Sequence, residues 1–96
     1  MANYVLSANA RKSLREIKAY STRTLGAKQT TLYLKKLRDR MAFLAEKPRL
    51  GEARDDIKMG YYSYPEGSHT IYYKIFADHI AVIDVLHQSM EPSRHL

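Results

Sequence analysis

The chain contains no cysteine. That removes disulfide staples, thiolate zinc sites and a thiol nucleophile together, and it suits a reducing cytosol. A long apolar run is missing too: the start, Met1-Ala2-Asn3-Tyr4-Val5-Leu6, has no basic segment leading into an apolar stretch, so neither a signal peptide nor a membrane span is expected. Internal repeats, low-complexity segments and extended linkers are absent, and 96 residues leave room for one domain, 1–96, whose helices and strands share one core. The chemistry is equally sparse. No glycine-rich phosphate loop occurs, which argues against ATP or GTP use, and Ser63, Ser68 and Ser89 lie in no glycine-flanked elbow. His69, His79, His87 and His95 have neither i, i+4 spacing nor a cysteine companion, so no metal centre and no cofactor is expected.

Acidic residues are scarce in one half of the molecule. Twelve of the 16 Lys and Arg precede Leu50, beside only three of the 10 acids. A basic half attracts polyanions, with nucleic acid and acidic protein segments the obvious partners. Most of this charge falls on two segments with helical periodicity. Tyr4-Val5-Leu6 reads as a short strand, and Ser7 as the N-cap of a helix running to Leu25 with Ala10, Leu14, Ile17 and Tyr20 on its buried stripe. Gly26 closes it, and a second helix follows from Ala27 to Lys47, with Tyr33, Leu34, Leu37, Met41 and Leu44 inward and Pro48 preventing continuation. A single glycine between them folds the two helices back as an antiparallel hairpin.

After Pro48 the periodicity changes. Arg49 to Asp56 reads as a polar loop, and three strands follow: Ile57 to Tyr64 with a break at Gly60, Thr70 to Phe76, and Ile80 to His87. Pro65-Glu66-Gly67 and Ala77-Asp78 are the turns of an antiparallel meander, and Met90 to Leu96 is a short helix or coil. The pattern is α+β: an N-terminal strand and an α-helical hairpin packed on one face of a mainly antiparallel four-stranded sheet. Of adjacent strand tyrosines such as Tyr72 and Tyr73, one is expected in the core and the other outward as a contact residue.

Six pieces in this order resemble a known family: Tyr4-Val5-Leu6-Ser7, Leu25-Gly26-Ala27, Phe43 to Gly51, Ile57 to Tyr61, Gly67-Ser68-His69-Thr70-Ile71-Tyr72-Tyr73, and Val85-Leu86-His87-Gln88-Ser89-Met90. They look like a ParE-type toxin of the RelE/ParE superfamily. The resemblance implies a cytoplasmic toxin of a type II toxin–antitoxin system, serving plasmid or chromosomal stability, that inhibits DNA gyrase and is neutralised by a cognate ParD-type antitoxin. It implies a heterotetramer or larger complex with that antitoxin, and DNA contact only indirectly, through antitoxin or gyrase. Relatives on this fold also include ribosome-dependent mRNA endonucleases, so a nuclease using His87 and a tyrosine is the alternative. A third reading is a binding module without toxicity, resting on the basic hairpin.

Metal-free RNA cleavage needs a base, an acid and cations for the phosphorane. The superfamily's ribonucleases cluster Arg and Lys on the sheet, whereas here the three strand segments hold only Lys58 and Lys74 and no arginine. Catalysis is therefore disfavoured, and His87 is read as part of a binding edge. The residues assigned to the target are His87, Gln88, Ser89, Met90 and Glu91 with Arg94; the antitoxin is assigned to Arg15, Lys18 and Lys36. Asp84 stands where the family often has arginine. An aspartate among Ile80, Val82, Ile83, Val85 and Leu86 is costly to bury unpaired, so an Arg or Lys partner is expected. His69 is read as fixing its turn, and His79 as exposed.

Overall fold

Ser7 has extended backbone geometry and its hydroxyl accepts the Ala10 amide at 2.9 Å, so the first helix starts where the sequence predicts. The computed structural model describes residues 3–96. Its elements are β1 (Asn3–Leu6), α1 (Ala8–Leu25), α2 (Ala27–Glu46), a 3-10 turn (Pro48–Leu50), β2 (Glu52–Ala53), β3 (Tyr61–Glu66), β4 (His69–Ile75), β5 (His79–His87) and a second 3-10 turn (Pro92–Arg94). The strands form one sheet in the order β1-β5-β4-β3-β2. Only β1 and β5 run parallel, because the helical hairpin intervenes and provides the crossover such pairing requires. The hairpin covers one face: α1 lies along β5, and α2 reaches β1, β5 and β3.

The sheet has five strands rather than the expected four. The extra one, Glu52–Ala53, falls in the stretch read as a loop and pairs Glu52 with Ser63 and Ala53 with Tyr62. Two residues cannot display a period-two pattern, so sequence periodicity has nothing to detect. Ile57 to Gly60 is not strand. The Ile57 and Lys58 amides donate to the Arg54 carbonyl at 2.9 and 3.2 Å, and Gly60, at φ 87°, donates to Asp55 Oδ1 at 3.0 Å. This turn is built by an aspartate and a left-handed glycine, and it outweighs the strand preference of Ile57. At the next turn Pro65 and Glu66 remain in β3, leaving Gly67 and Ser68 as a two-residue connection.

Leu37, Met41 and Leu44 from α2 meet Ile71, Tyr73, Ile80 and Val82 in the buried centre. Tyr73 brings a polar hydroxyl into that centre. It donates to the Pro48 carbonyl at 2.6 Å and accepts the Gly51 amide at 3.1 Å, which ties the chain leaving α2 onto the sheet. A Cβ on Gly51 would collide with that hydroxyl, so the glycine is required by close approach. Burial pushes the Tyr73 phenol up. Two expectations fail here. Tyr72 is buried as well as Tyr73, covered by the Arg54 guanidinium 5.9 Å from its ring, so neither of the pair is an outward contact residue. Tyr20, expected on the buried stripe, is 63% exposed; it lies at the margin of the apolar arc, one flank away from the sheet.

The register between β4 and β5 slips once. Tyr72 faces Asp84 and Tyr73 faces Val82, leaving Ile83 as the extra residue of a bulge. Its carbonyl accepts the Ser7 hydroxyl at 2.6 Å, and the Ser7 amide donates to the Val82 carbonyl at 3.0 Å. Asp84, 6% exposed, accepts from the Ser13 hydroxyl at 2.5 Å and from the Val85 amide at 2.8 Å. The expected cation is therefore replaced by a hydroxyl and an amide, because the bulge turns the carboxylate onto α1, where Ser13 is the residue opposite. Among the described residues no buried side-chain nitrogen or oxygen lacks a partner.

Ser7→Ala removes both the cap and the bond to Ile83, and is expected to cost about 2 kcal/mol in urea unfolding. Ser93→Ala, on an exposed residue in the last turn, should stay within about 0.5 kcal/mol. Equal midpoints for the two variants would remove the joint from the account of stability.

Candidate binding groove

The sheet end where β5 stops carries an open groove of about 510 Å³. One flank of α1 supplies Glu16, Ile17, Tyr20 and Thr24; α2 supplies Tyr33; the β3–β4 turn and β4 supply Ser68 and His69; and the end of β5 supplies Val85, His87, Ser89 and Met90. Tyr20 and Leu25 are more than half exposed within it, concentrating apolar surface at one place.

Two imidazoles from opposed strand positions define its floor. His69 pairs with His87 in the β4–β5 register, and their rings meet edge to face at 5.3 Å. Tyr33 governs the first of them. Its hydroxyl accepts the Ser68 amide at 3.2 Å, lies 2.6 Å from His69 Nδ1 and reaches the Glu66 carbonyl at 3.3 Å, so it ties the imidazole to the turn. Partial burial, and secondarily the neighbouring His87, push the His69 pKa down to about 4. His69 is thus a neutral ring at physiological pH, and it does more than fix its turn: it anchors α2 to the sheet end. His87 is exposed, and its Nδ1 accepts the Ser89 amide at 3.1 Å with the Ser89 hydroxyl at 2.8 Å. The Gln88 amide donates to the Ser68 carbonyl at 2.9 Å, extending the two strands into the turn that presents Met90.

The sequence-assigned residues divide in space. His87, Ser89 and Met90 line the groove; exposed Gln88, Glu91 and Arg94 lie beside it or beyond it in the closing turn. The antitoxin set separates too. Arg15 and Lys18 are exposed on α1, whereas Lys36 lines a different depression of about 420 Å³ with Asp39, Arg40, Phe43 and Glu66. There Arg40 donates to Glu66 at 2.8 Å and sits 4.9 Å from the Tyr64 ring and 5.4 Å from Phe43. His79, expected to be exposed, is half-buried, paired with Asp78 at 2.8 Å and stacked on Phe76 at 4.8 Å.

Sequence reasoning missed Tyr20 and Tyr33 as groove residues, since both fit a helical apolar stripe. It also missed a sheet cation. Arg54 comes from the connection read as a loop, donates to Ser63 Oγ at 3.2 Å and covers Tyr72, while Lys58 sits in a turn. Arg54 is not a free cation: Asp56 holds its Nε and Nη2 at 3.1 and 3.2 Å, and this pairing raises the guanidinium pKa and lowers that of the carboxyl.

This arrangement of hairpin and sheet is shared with solved toxin–antitoxin proteins. A chain of the chromosomal ParDE system of P. aeruginosa superposes with a TM-score of 0.75, covering 91% of this chain and 95% of that one at 11% identity. A chain of the toxin–antitoxin complex RelBE2 of Mycobacterium tuberculosis gives 0.62, covering 90% and 96% at 19% identity. The family model of the ParE toxin of type II toxin–antitoxin systems matches residues 4–92. Toxin ParE1 of Caulobacter vibrioides is 33% identical over 96 residues, spanning 100% of this chain and 99% of its own length. Toxin ParE1 of Mycobacterium tuberculosis is 36% identical over 96 residues, with 99% and 98% covered. The chain belongs to the ParE toxin family of type II toxin–antitoxin systems. No helix among the described residues is long and apolar enough to cross a membrane.

A proton that the unfolded chain accepts near pH 6.5 is refused by folded His69 until about pH 4. Stability should therefore fall as pH drops through that window, and His69→Gln should flatten the fall. Urea midpoints of the two proteins measured across the window check this; parallel curves would contradict it. The lowered carboxyls of Asp56 and Asp78 act equally in both proteins.

Proposed function

We propose that this ParE-family chain acts in the cytoplasm by binding DNA gyrase through the groove and the adjoining turn, without hydrolysing a substrate, and that a ParD-type antitoxin neutralises it. The observation that carries this reading is the groove's composition. It brings together His87, Ser89 and Met90 with Tyr20, Leu25 and Tyr33, but its described lining contains no Lys or Arg. A phosphorane forming there would find no Lys or Arg in the lining to stabilise its charge, and the Arg23 guanidinium beside the groove is engaged on the Tyr20 ring at 6.0 Å. The Nδ1 atoms of both histidines are also occupied, by Tyr33 and by Ser89. What remains is exposed apolar and aromatic surface with hydroxyls around it, which is the make-up of a protein-docking site.

On this reading His87, Met90 and Tyr20 face the target, with Gln88, Ser89, Glu91 and Arg94 at the rim. The antitoxin meets the helical hairpin where Lys36 and the Arg40–Phe43 surface offer charge beside an aromatic ring. A disordered acidic segment can fold onto such a surface.

Purified toxin should inhibit gyrase supercoiling and leave translated mRNA intact. Tyr20→Ala and Met90→Ala, both at exposed positions, should each weaken inhibition about tenfold while preserving the fold. Cleavage of mRNA that disappears in His87→Ala would instead establish the endonuclease reading, and wild-type inhibition by both groove variants would remove the groove from target binding.

A further inference from the structure

We propose that Arg11, Arg15 and Lys18 form a row on α1 that binds the phosphate backbone of duplex DNA directly. The three residues stand at i, i+4 and i+7, so they share one side of the helix at steps of about 6 and 4.5 Å along its axis. All three are exposed. Among the described residues the ion pairs are Lys35–Asp39, Arg40–Glu66, Arg54–Asp56 and His79–Asp78, and none involves the row. The one acid of α1, Glu16, lines the groove on the other flank.

What the row lacks selects its partner. Continued in both directions the same side carries Ala8, Thr22 and, at the helix end, Leu25, which lines the groove; it carries no aromatic residue. A protein segment gains most of its affinity from apolar and aromatic anchors, and those of this helix, Ile17 and Tyr20, line the groove. Single-stranded nucleic acid needs rings on which bases stack, which the row does not offer. A duplex backbone asks for neither: it requires cations at regular intervals on a rigid support. Arg11 and Arg15 lie in the N-terminal half of α1, whose first turn contains no acid, so the helix dipole adds to the positive potential there. Arg15 and Lys18 thereby move from the antitoxin surface expected of them to a DNA surface, and DNA contact becomes direct.

The test uses the purified full chain, without antitoxin or gyrase, and fluorescence anisotropy on a labelled random-sequence duplex of about 20 base pairs. Three neutralised phosphates give a slope of about −2.7 in log affinity against log salt, or roughly a 40-fold loss between about 50 and 200 mM. R11Q/R15Q/K18Q should lose most of that slope and at least about tenfold in affinity at the lower salt. K28Q/R38Q/K47Q, which removes the same charge from exposed positions of α2 and its end, should stay within about twofold. Circular dichroism checks that both variants fold. Equal losses in the two variants would reduce the effect to net charge and overturn the proposal. So would tighter binding of single-stranded RNA or of an acidic peptide than of the duplex.

Discussion

The joint between Ser7 and the bulge of β5 is the constraint on which the rest of the molecule depends. One hydroxyl accepts the Ala10 amide and donates to the Ile83 carbonyl, so a single residue starts α1 and fastens that start to the central part of the sheet. The Ser7 amide adds a bond to Val82, continuing the parallel pairing of β1 with β5 into the helix cap. Two residues into α1's second turn, Ser13 meets the carboxylate of Asp84. The helix is thus held to one strand at two points, Ser7 and Ser13, nearly two turns apart, and its direction across the sheet follows.

That direction determines where the groove lies. Fixed at its N-terminal end over the bulge, α1 carries Tyr20, Thr24 and Leu25 to the end of the sheet where β5 finishes at His87. A bulge also reverses which side of the strand successive residues occupy. Val82 lies in the core before it; after it Val85 joins the core and His87 lies over His69, on the side facing the helices. With regular pairing in place of the extra residue, His87 would point to the opposite face and the groove would lose its floor. Tyr33 completes the assembly from α2, since its hydroxyl binds both the Ser68 amide and His69.

This dependence explains what could be read in the sequence. Ser7, Gly26 and Pro48 punctuate the helices by local chemistry, and the core of α2 follows from its spacing, so the helical hairpin was legible almost residue by residue. The bulge was not. Ile80 to His87 is a run of strand formers interrupted by Asp84, and nothing in it marks Ile83 as the extra residue, because the compensating bond comes from Ser7, 76 residues away. The same lack of local signal hid the partner of Asp84: burial demands a partner, but a serine 71 residues distant satisfies it as well as a cation does. The groove was half legible. Its His87, Ser89 and Met90 fall within four residues of sequence, whereas Tyr20 and Tyr33 look like any other aromatic on an amphipathic helix until the sheet ends beneath them. The family resemblance covered these gaps for fold class and membership, not for side-chain partners.

The two sides of α1 differ in chemistry as well as in packing. The flank that closes the groove holds Glu16 and Tyr20, with Arg23 over the Tyr20 ring at 6.0 Å, and the opposite one holds Arg11, Arg15 and Lys18. A polyanion is therefore drawn to one side of the helix, and an apolar segment finds its contacts on the other, so the two can be present together without competing for the same atoms. The basic excess of the N-terminal half, which by itself would suit many partners, becomes selective through this geometry: a row of cations without rings on one flank, and on the other an apolar and aromatic surface with one acid and one arginine laid over a ring. For a small domain with a single core, dividing one helix in this way presents two chemically distinct surfaces without adding an element.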